Sequence, residues 1–143
     1  MIPSTEMPTT RAAKHGLLLF AHGARDPRWA DPFENVAQRV SRADPALMVR
    51  LAFLEFMQPS LREAGDALAV AGCSRIDVVP LFLGAGGHVR KDLPALLAEL
   101  AAAHPAIRWE LQRAIGEVES VIEAMAHAAL VLVRDDLARG ARA

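Results

Sequence analysis

Apolar residues along the chain come in short dense blocks, and amphipathic stretches separate them. Leu17–Ala21 is a continuous apolar block that stops at His22-Gly23, a pattern that predicts a buried strand followed by a turn. From Asp31 to Ser41 the apolar positions Phe33, Val36, Ala37 and Val40 recur at helical spacing, with Asp31-Pro32 as cap and first-turn pair. Ala46–Phe56, entered through Pro45, holds the second strand, and Pro59–Val70 is helical in pattern with Gly72 as its stop. Ile76–Leu83 reads as the third strand, broken by Gly84-Ala85-Gly86-Gly87. A helix over Leu93–Ala103 is expected to begin near Asp92-Leu93-Pro94, then a strand over Ile107–Leu111 and a long Ala-rich helix over Val118–Leu137. The order is four βα repeats with strands about 30 residues apart, the length of one βαβ unit. It predicts an α/β fold: three layers, α/β/α, around a four-stranded parallel sheet with right-handed crossovers. Val/Ile-rich runs bounded by Gly and Pro weigh against an all-α chain.

Composition narrows the picture. The 143 residues are 52% hydrophobic and 23% charged, so one domain with a real core is expected and disorder is excluded. Sixteen Lys+Arg against seventeen Asp+Glu give a net charge of -1, which offers no field for nucleic acid or an anionic membrane. No apolar run approaches the roughly 20 residues of a membrane span. The apolar stretch after Arg11 and Lys14 is too short for a signal peptide. Cys73 is the only cysteine; it reads as a small packing residue and fits a reducing, cytoplasmic compartment. Residues 1–15 read as a flexible lead-in, 16–138 as the single domain and 139–143 as a frayed end.

In an open parallel sheet, ligands bind beyond the carboxyl ends of the strands, and the polar residues of note fall there. His22 follows the first strand, Glu55 lies near the end of the second, and His88 follows the turn after the third. Each is 33 residues from the next, one βα repeat, so all three can converge on one rim. Two imidazoles and a carboxylate suit a borderline divalent ion such as Fe2+, Co2+, Ni2+ or Zn2+; each taken singly also fits a hydrogen-bonding or ion-pair role. Gly84-Ala85-Gly86-Gly87 fails both the dinucleotide and the Walker pattern, because Val89 and Arg90 stand where Gly and Lys are needed. That weakens a nucleotide-binding module and leaves Gly84, Gly86 and Gly87 as a tight turn against which a flat ligand could lie. Arg25, Arg28, Arg90 and Lys91 flank the two histidines and would suit a substrate with several carboxylates. His15, His104 and His127 have no carboxylate or cysteine at ligand spacing and read as structural, as do Trp29 and Trp109. No G-x-S-x-G or H-E-x-x-H pattern occurs.

Three segments carry a resemblance. LLLFAHGARDP (Leu17–Pro27), AFLEFMQPSL (Ala52–Leu61) and VPLFLGAGGHV (Val79–Val89) together resemble the short-form sirohydrochlorin chelatases of the CbiX type, in the family's order and spacing. The resemblance runs from about Gly16 to Leu111. Ala24 stands where the family usually has Ser, and Ile115-Gly116-Glu117-Val118 matches the closing motif loosely. It implies a chelatase-like half-domain that inserts Co2+ or Fe2+ into sirohydrochlorin or a similar tetrapyrrole, for cobalamin or sirohaem synthesis. His22 and His88 would hold metal and accept pyrrole protons, with Glu55 assisting, and the metal would be a substrate, with no organic cofactor. A non-catalytic metal- or tetrapyrrole-delivery protein of the same fold is the alternative. Longer members of the class form a cleft between two similar halves; a homodimer is the expected way for this chain to form one.

Overall fold

A computed structural model of the chain describes residues 13–84 and 86–142, and for His88 the backbone alone. Four strands, β1 (Lys14–Ala21), β2 (Met48–Phe53), β3 (Cys73–Pro80) and β4 (Arg108–Leu111), form one parallel sheet in the order β2-β1-β3-β4. Between them lie α1 (Asp31–Ala43), α2 (Leu61–Val70) and α3 (Gly87–Ala103), and α4 (Glu119–Gly140) ends the described chain. The α/β reading holds, strand by strand.

The period-2 alternation of β1 distributes its side chains to two cores. Leu18 and Phe20 join Ala52, Ile76 and Val78 against α2 and α3, which contribute Leu61, Leu68, Leu93 and Leu100. Leu19 and Ala21 face the other way with Phe53 and Leu81, where α1 covers them through Phe33 and Ala37. Helix α2 starts where it does because Ser60 and Glu63 form a reciprocal capping box: the Ser60 hydroxyl accepts from the Glu63 amide at 3.1 Å, and the Glu63 carboxylate accepts from the Ser60 amide.

Several expected boundaries move. Lys14 and His15, read as the end of the lead-in, are the first residues of β1; residues 1–12 lie outside the described part. His15 is held there by Asp77, the one buried charged side chain among the described residues. Arg75 and Gln112 also donate to Asp77. The Arg75 guanidinium, with help from His15 and Gln112, keeps this carboxyl far below the usual carboxylate range despite burial. Strand β3 stops at Pro80, three residues early, and α3 begins at Gly87, six residues before Leu93. Pro94 lies inside α3; its missing amide costs one helical bond but the helix continues on both sides. Arg139 and Gly140, expected to fray, belong to α4. Two 3-10 turns, Pro27–Ala30 and Ile115–Glu117, had no periodic signal to announce them. Among the described residues, no helix is long and apolar enough to cross a membrane.

Candidate functional site

The carboxyl rim of β1 and β2 brings His22 and Glu55 together. The two strands stay hydrogen-bonded past their ends: the Leu54 amide donates to the Ala21 carbonyl at 2.9 Å, and the Glu55 amide to the His22 carbonyl at 3.1 Å. This continued ladder places both side chains at the same level, and His22 Nε2 lies 3.0 Å from Glu55 Oε1. Gly23 makes the approach possible. Its φ is +91°, and a Cβ there would overlap the Glu55 carbonyl oxygen, so only glycine fits. The pair is half-exposed, at 49% and 48% of side-chain surface, which leaves room for a ligand. Behind the imidazole stands Phe82, edge-on with ring centroids 6.2 Å apart.

His88 is the second residue of α3, and its side chain lies outside the described residues. The backbone nevertheless places position 88 in the first turn of a helix that starts on the same rim, after β3. No cluster of three or more metal-ligating side chains is present among the described residues; His22 and Glu55 are the described part of the expected trio.

Two of the four expected cations, Arg28 and Arg90, are held in ion pairs. Arg28 donates from its backbone amide and its guanidinium to Asp26, the cap of the Pro27–Ala30 turn, and this holds the Asp26 carboxyl below the usual carboxylate range. Arg90 pairs with Glu117 at 3.1 Å across a cavity of about 140 Å³ that Phe82, Leu93 and Ala114 also line. Arg25 lies with its guanidinium carbon 4.7 Å above the ring of Phe56, on the edge of a hollow of about 340 Å³ of mixed polar and apolar lining that Ala24 and Gln58 also reach. Lys91 follows Arg90 on an exposed part of α3. Phe56, Phe82 and Glu117 were not singled out from sequence. Phe56 carried one missed signal: it sits in the FLEFMQP run directly after Glu55 and adopts φ +64°, a conformation rare for an aromatic residue.

The chain bends at Leu83-Gly84, and at Gly84, Gly86 and Gly87 φ is not positive and an added Cβ would meet nothing within 4 Å. Gly87 is already the first helical residue of α3, with Gly86 as its cap. What these glycines provide is bare, open backbone beside the rim.

The family model for CbiX matches residues 16–130. A sirohydrochlorin cobaltochelatase of Saccharolobus solfataricus is 40% identical over 82 residues, covering 57% of this chain and 62% of that protein. One from Methanosarcina barkeri is 33% identical over 85 residues, covering 59% of this chain and 65% of its own length. The matched stretch is thus under two thirds of either relative. Among solved structures, a CbiX protein of Marinobacter aquaeolei VT8 superposes with TM-score 0.70 at 33% identity, over 87% of this chain and 98% of that one. The sirohydrochlorin chelatase SirB of Bacillus subtilis subspecies spizizenii, in complex with cobalt, superposes with TM-score 0.66 at 29% identity, over 80% of this chain but 49% of that one.

Proposed function

We propose that this chain, which belongs to the CbiX family, inserts a divalent metal ion, Co2+ or Fe2+, into sirohydrochlorin or a closely similar tetrapyrrole. The observation that carries the reading is the His22–Glu55 pair on the open rim, with Nε2 and Oε1 3.0 Å apart. Metal–nitrogen and metal–oxygen bonds of about 2.1 Å to one ion, spaced that far apart, subtend about 90°, the angle of neighbouring ligands in an octahedral site. The pair therefore suits two uses of the same lone pairs. It holds a shared proton in one state and chelates a divalent ion in the other.

Insertion into a free-base macrocycle removes two pyrrole protons and strips water from the ion. Imidazole and carboxylate are suited to both tasks, since they bind borderline ions without the permanence of a thiolate cage. Without metal, the His22 Nε2–H can donate to Glu55 and Nδ1 keeps a lone pair able to accept a pyrrole proton; with metal between Nε2 and Oε1 the imidazole proton sits on Nδ1. His88, one βα repeat beyond Glu55, is assigned the matching role from the α3 side. Macrocycle carboxylates would meet Arg25 first, whose guanidinium lies over the ring of Phe56; Lys91 and the guanidiniums of Arg28 and Arg90 lie further round. The bare backbone at Gly84, Gly86 and Gly87 would let a flat ring lie close. The metal is a substrate in this scheme, a second copy of the chain faces the rim to complete the cleft, and the lone buried Cys73 is in keeping with a cytoplasmic setting.

The test is direct. Purified protein mixed with sirohydrochlorin and either Co2+ or Fe2+ should speed the change in the tetrapyrrole absorption spectrum above the uncatalysed rate, over many turnovers. His22→Ala and His88→Ala should each lower that rate by about 100-fold or more. Unchanged rates in both variants would overturn the assignment of the site. Stoichiometric binding without repeated turnover would instead identify a delivery protein.

A further inference from the structure

The loop that follows β2 is tied down along its length, yet it leaves an aromatic ring in solvent. The Leu54 amide donates to the Ala21 carbonyl and the Glu55 amide to the His22 carbonyl, while the Phe53 amide donates to the Pro59 carbonyl at 2.9 Å and closes the segment from its other end. Between these ties Leu54 packs against the core under α2 and α3, and Met57 packs against the core under α1. The two residues between them stay outside: Glu55 is half-exposed and Phe56 is 57% exposed.

The backbone at Phe56 is strained. Its φ is +64°, and the Met57 amide donates to the Glu55 carbonyl at 2.8 Å, which makes Phe56 the apex of a γ-turn of the rare positive-φ kind. That conformation is unfavourable for any side chain with a Cβ and more so for a bulky one. It persists because its surroundings fix it. The Glu55 carbonyl that closes the turn is the oxygen a Cβ on Gly23 would overlap, so Gly23 packs against it on one side while Met57 binds it on the other. A glycine at position 56 would adopt the turn without strain. A single exposed apolar side chain needs no explanation; one kept exposed on a strained backbone, next to the proposed metal carboxylate, does.

What the ring meets is Arg25, whose guanidinium carbon lies 4.7 Å from the ring centroid, within the range of cation–π attraction. Arg28 and Arg90 are each held by a carboxylate. Among the described residues Arg25 is in no ion pair, and the contact that locates it is the Phe56 ring. The difference matters for anion recognition. A carboxylate locates a guanidinium and spends its charge, whereas an aromatic face locates it and leaves the charge for a ligand. Both side chains line the hollow of about 340 Å³ beside the rim. We infer that Phe56 is a positioning residue for the tetrapyrrole: its strained turn holds the ring against Arg25, and the ring holds that guanidinium, still fully charged, where a macrocycle carboxylate arrives. One γ-turn thus serves two tasks at adjacent positions, with Glu55 set against His22 at 3.0 Å and Phe56 set against Arg25. The inference rests on the tetrapyrrole reading above and deepens it, since it names what fixes the cation.

The test reads binding and turnover separately. Metal-free sirohydrochlorin is titrated into the whole chain and its Kd read from the absorption spectrum, with KM and kcat of Co2+ insertion measured alongside. Phe56→Leu keeps apolar bulk and loses the flat face; it should raise Kd and KM about three- to tenfold and leave kcat within about twofold of the parent. Phe56→Tyr should restore both constants. Phe56→Gly separates binding from folding: its urea midpoint should equal or exceed that of the parent, because glycine adopts the positive φ freely, while its Kd rises as far as that of Phe56→Leu. Arg25→Ala should weaken binding at least as much, and adding Phe56→Leu to it should change binding no further, since the ring acts through the cation. Unchanged binding in Phe56→Leu and Phe56→Gly, additive losses in the double variant, or a Phe56→Gly chain less stable than the parent each overturns the positioning role and leaves the tetrapyrrole reading standing. A Phe56→Leu chain that dissociates in sedimentation velocity where the parent is dimeric also overturns it, and assigns the ring to the contact between copies. A parent chain that does not bind sirohydrochlorin overturns the tetrapyrrole reading and this inference with it.

Discussion

His22 and Glu55 can share a proton or share a metal ion, but the same lone pairs cannot do both. Protonation and metal binding at the proposed site should therefore compete, so Co2+ affinity measured by calorimetry should fall as the pH is lowered from about 8 to about 5. Glu55→Gln keeps the size and one acceptor yet removes the charge; it should weaken Co2+ binding by about 10–100-fold while leaving stability near that of the parent, because the pair is half-exposed. Gly23→Ala should cost stability as well as metal binding. Its positive φ and its overlap with the Glu55 carbonyl predict a loss of about 2 kcal/mol or more in urea unfolding, together with loss of metal binding as the rim is forced apart. The 33-residue interval between His22 and Glu55 was legible because one βα repeat separates neighbouring strand ends. The Gly23 contact was not, since a Gly after a His reads only as a turn until the partner strand is in place.

At the scale of elements, β3 carries a charge where a strand interior should be apolar. Asp77 lies within IDVVP, and its partners His15, Arg75 and Gln112 come from β1, β3 and the residue just past β4. Its folded-state carboxyl is held well below the ordinary value near 3.8, so the unfolded chain binds the proton more readily. The stability it contributes is then complete above about pH 4–5 and is lost as pH falls toward the folded value. Asp77→Asn should cost about 1–3 kcal/mol at neutral pH, and its urea midpoint should fall less between pH 5 and pH 3 than that of the parent. Ser60→Ala, which removes one half of the α2 capping box, should cost about 1 kcal/mol and leave that pH dependence unchanged. The capping box is spelled S-x-x-E at Ser60–Glu63, a signal that the reading of the helix from Pro59 passes over. His15 and His104 read as structural, and their carboxylate partners Asp77 and Asp66 stand 62 and 38 residues away, distances that only the folded sheet closes.

For the whole molecule, the two-copy cleft of the proposed function sets one expectation: insertion activity per chain, read by the absorption assay over a dilution series, should fall as the dimer dissociates. Strand order, helix count and the rim positions of His22, Glu55 and residue 88 follow from the periodicity and length of the repeats, because a parallel sheet with right-handed crossovers admits few arrangements. The start of α3 and the inclusion of Pro94 within it depended on tertiary contacts, through Leu93 and Leu100 in the core, which outweigh the local preference of Pro to begin a helix. The pairing of Arg28 with Asp26 was close at hand in the sequence, but that of Arg90 with Glu117 required α3 and the Ile115–Glu117 turn to meet. By itself the amino-acid order determined which residues form strands, which face the core and which stand at the strand ends, since these obey local periods of 2 and 3.6. Only the tertiary structure decided which charges are already spent on one another, because that depends on distances between segments far apart along the chain.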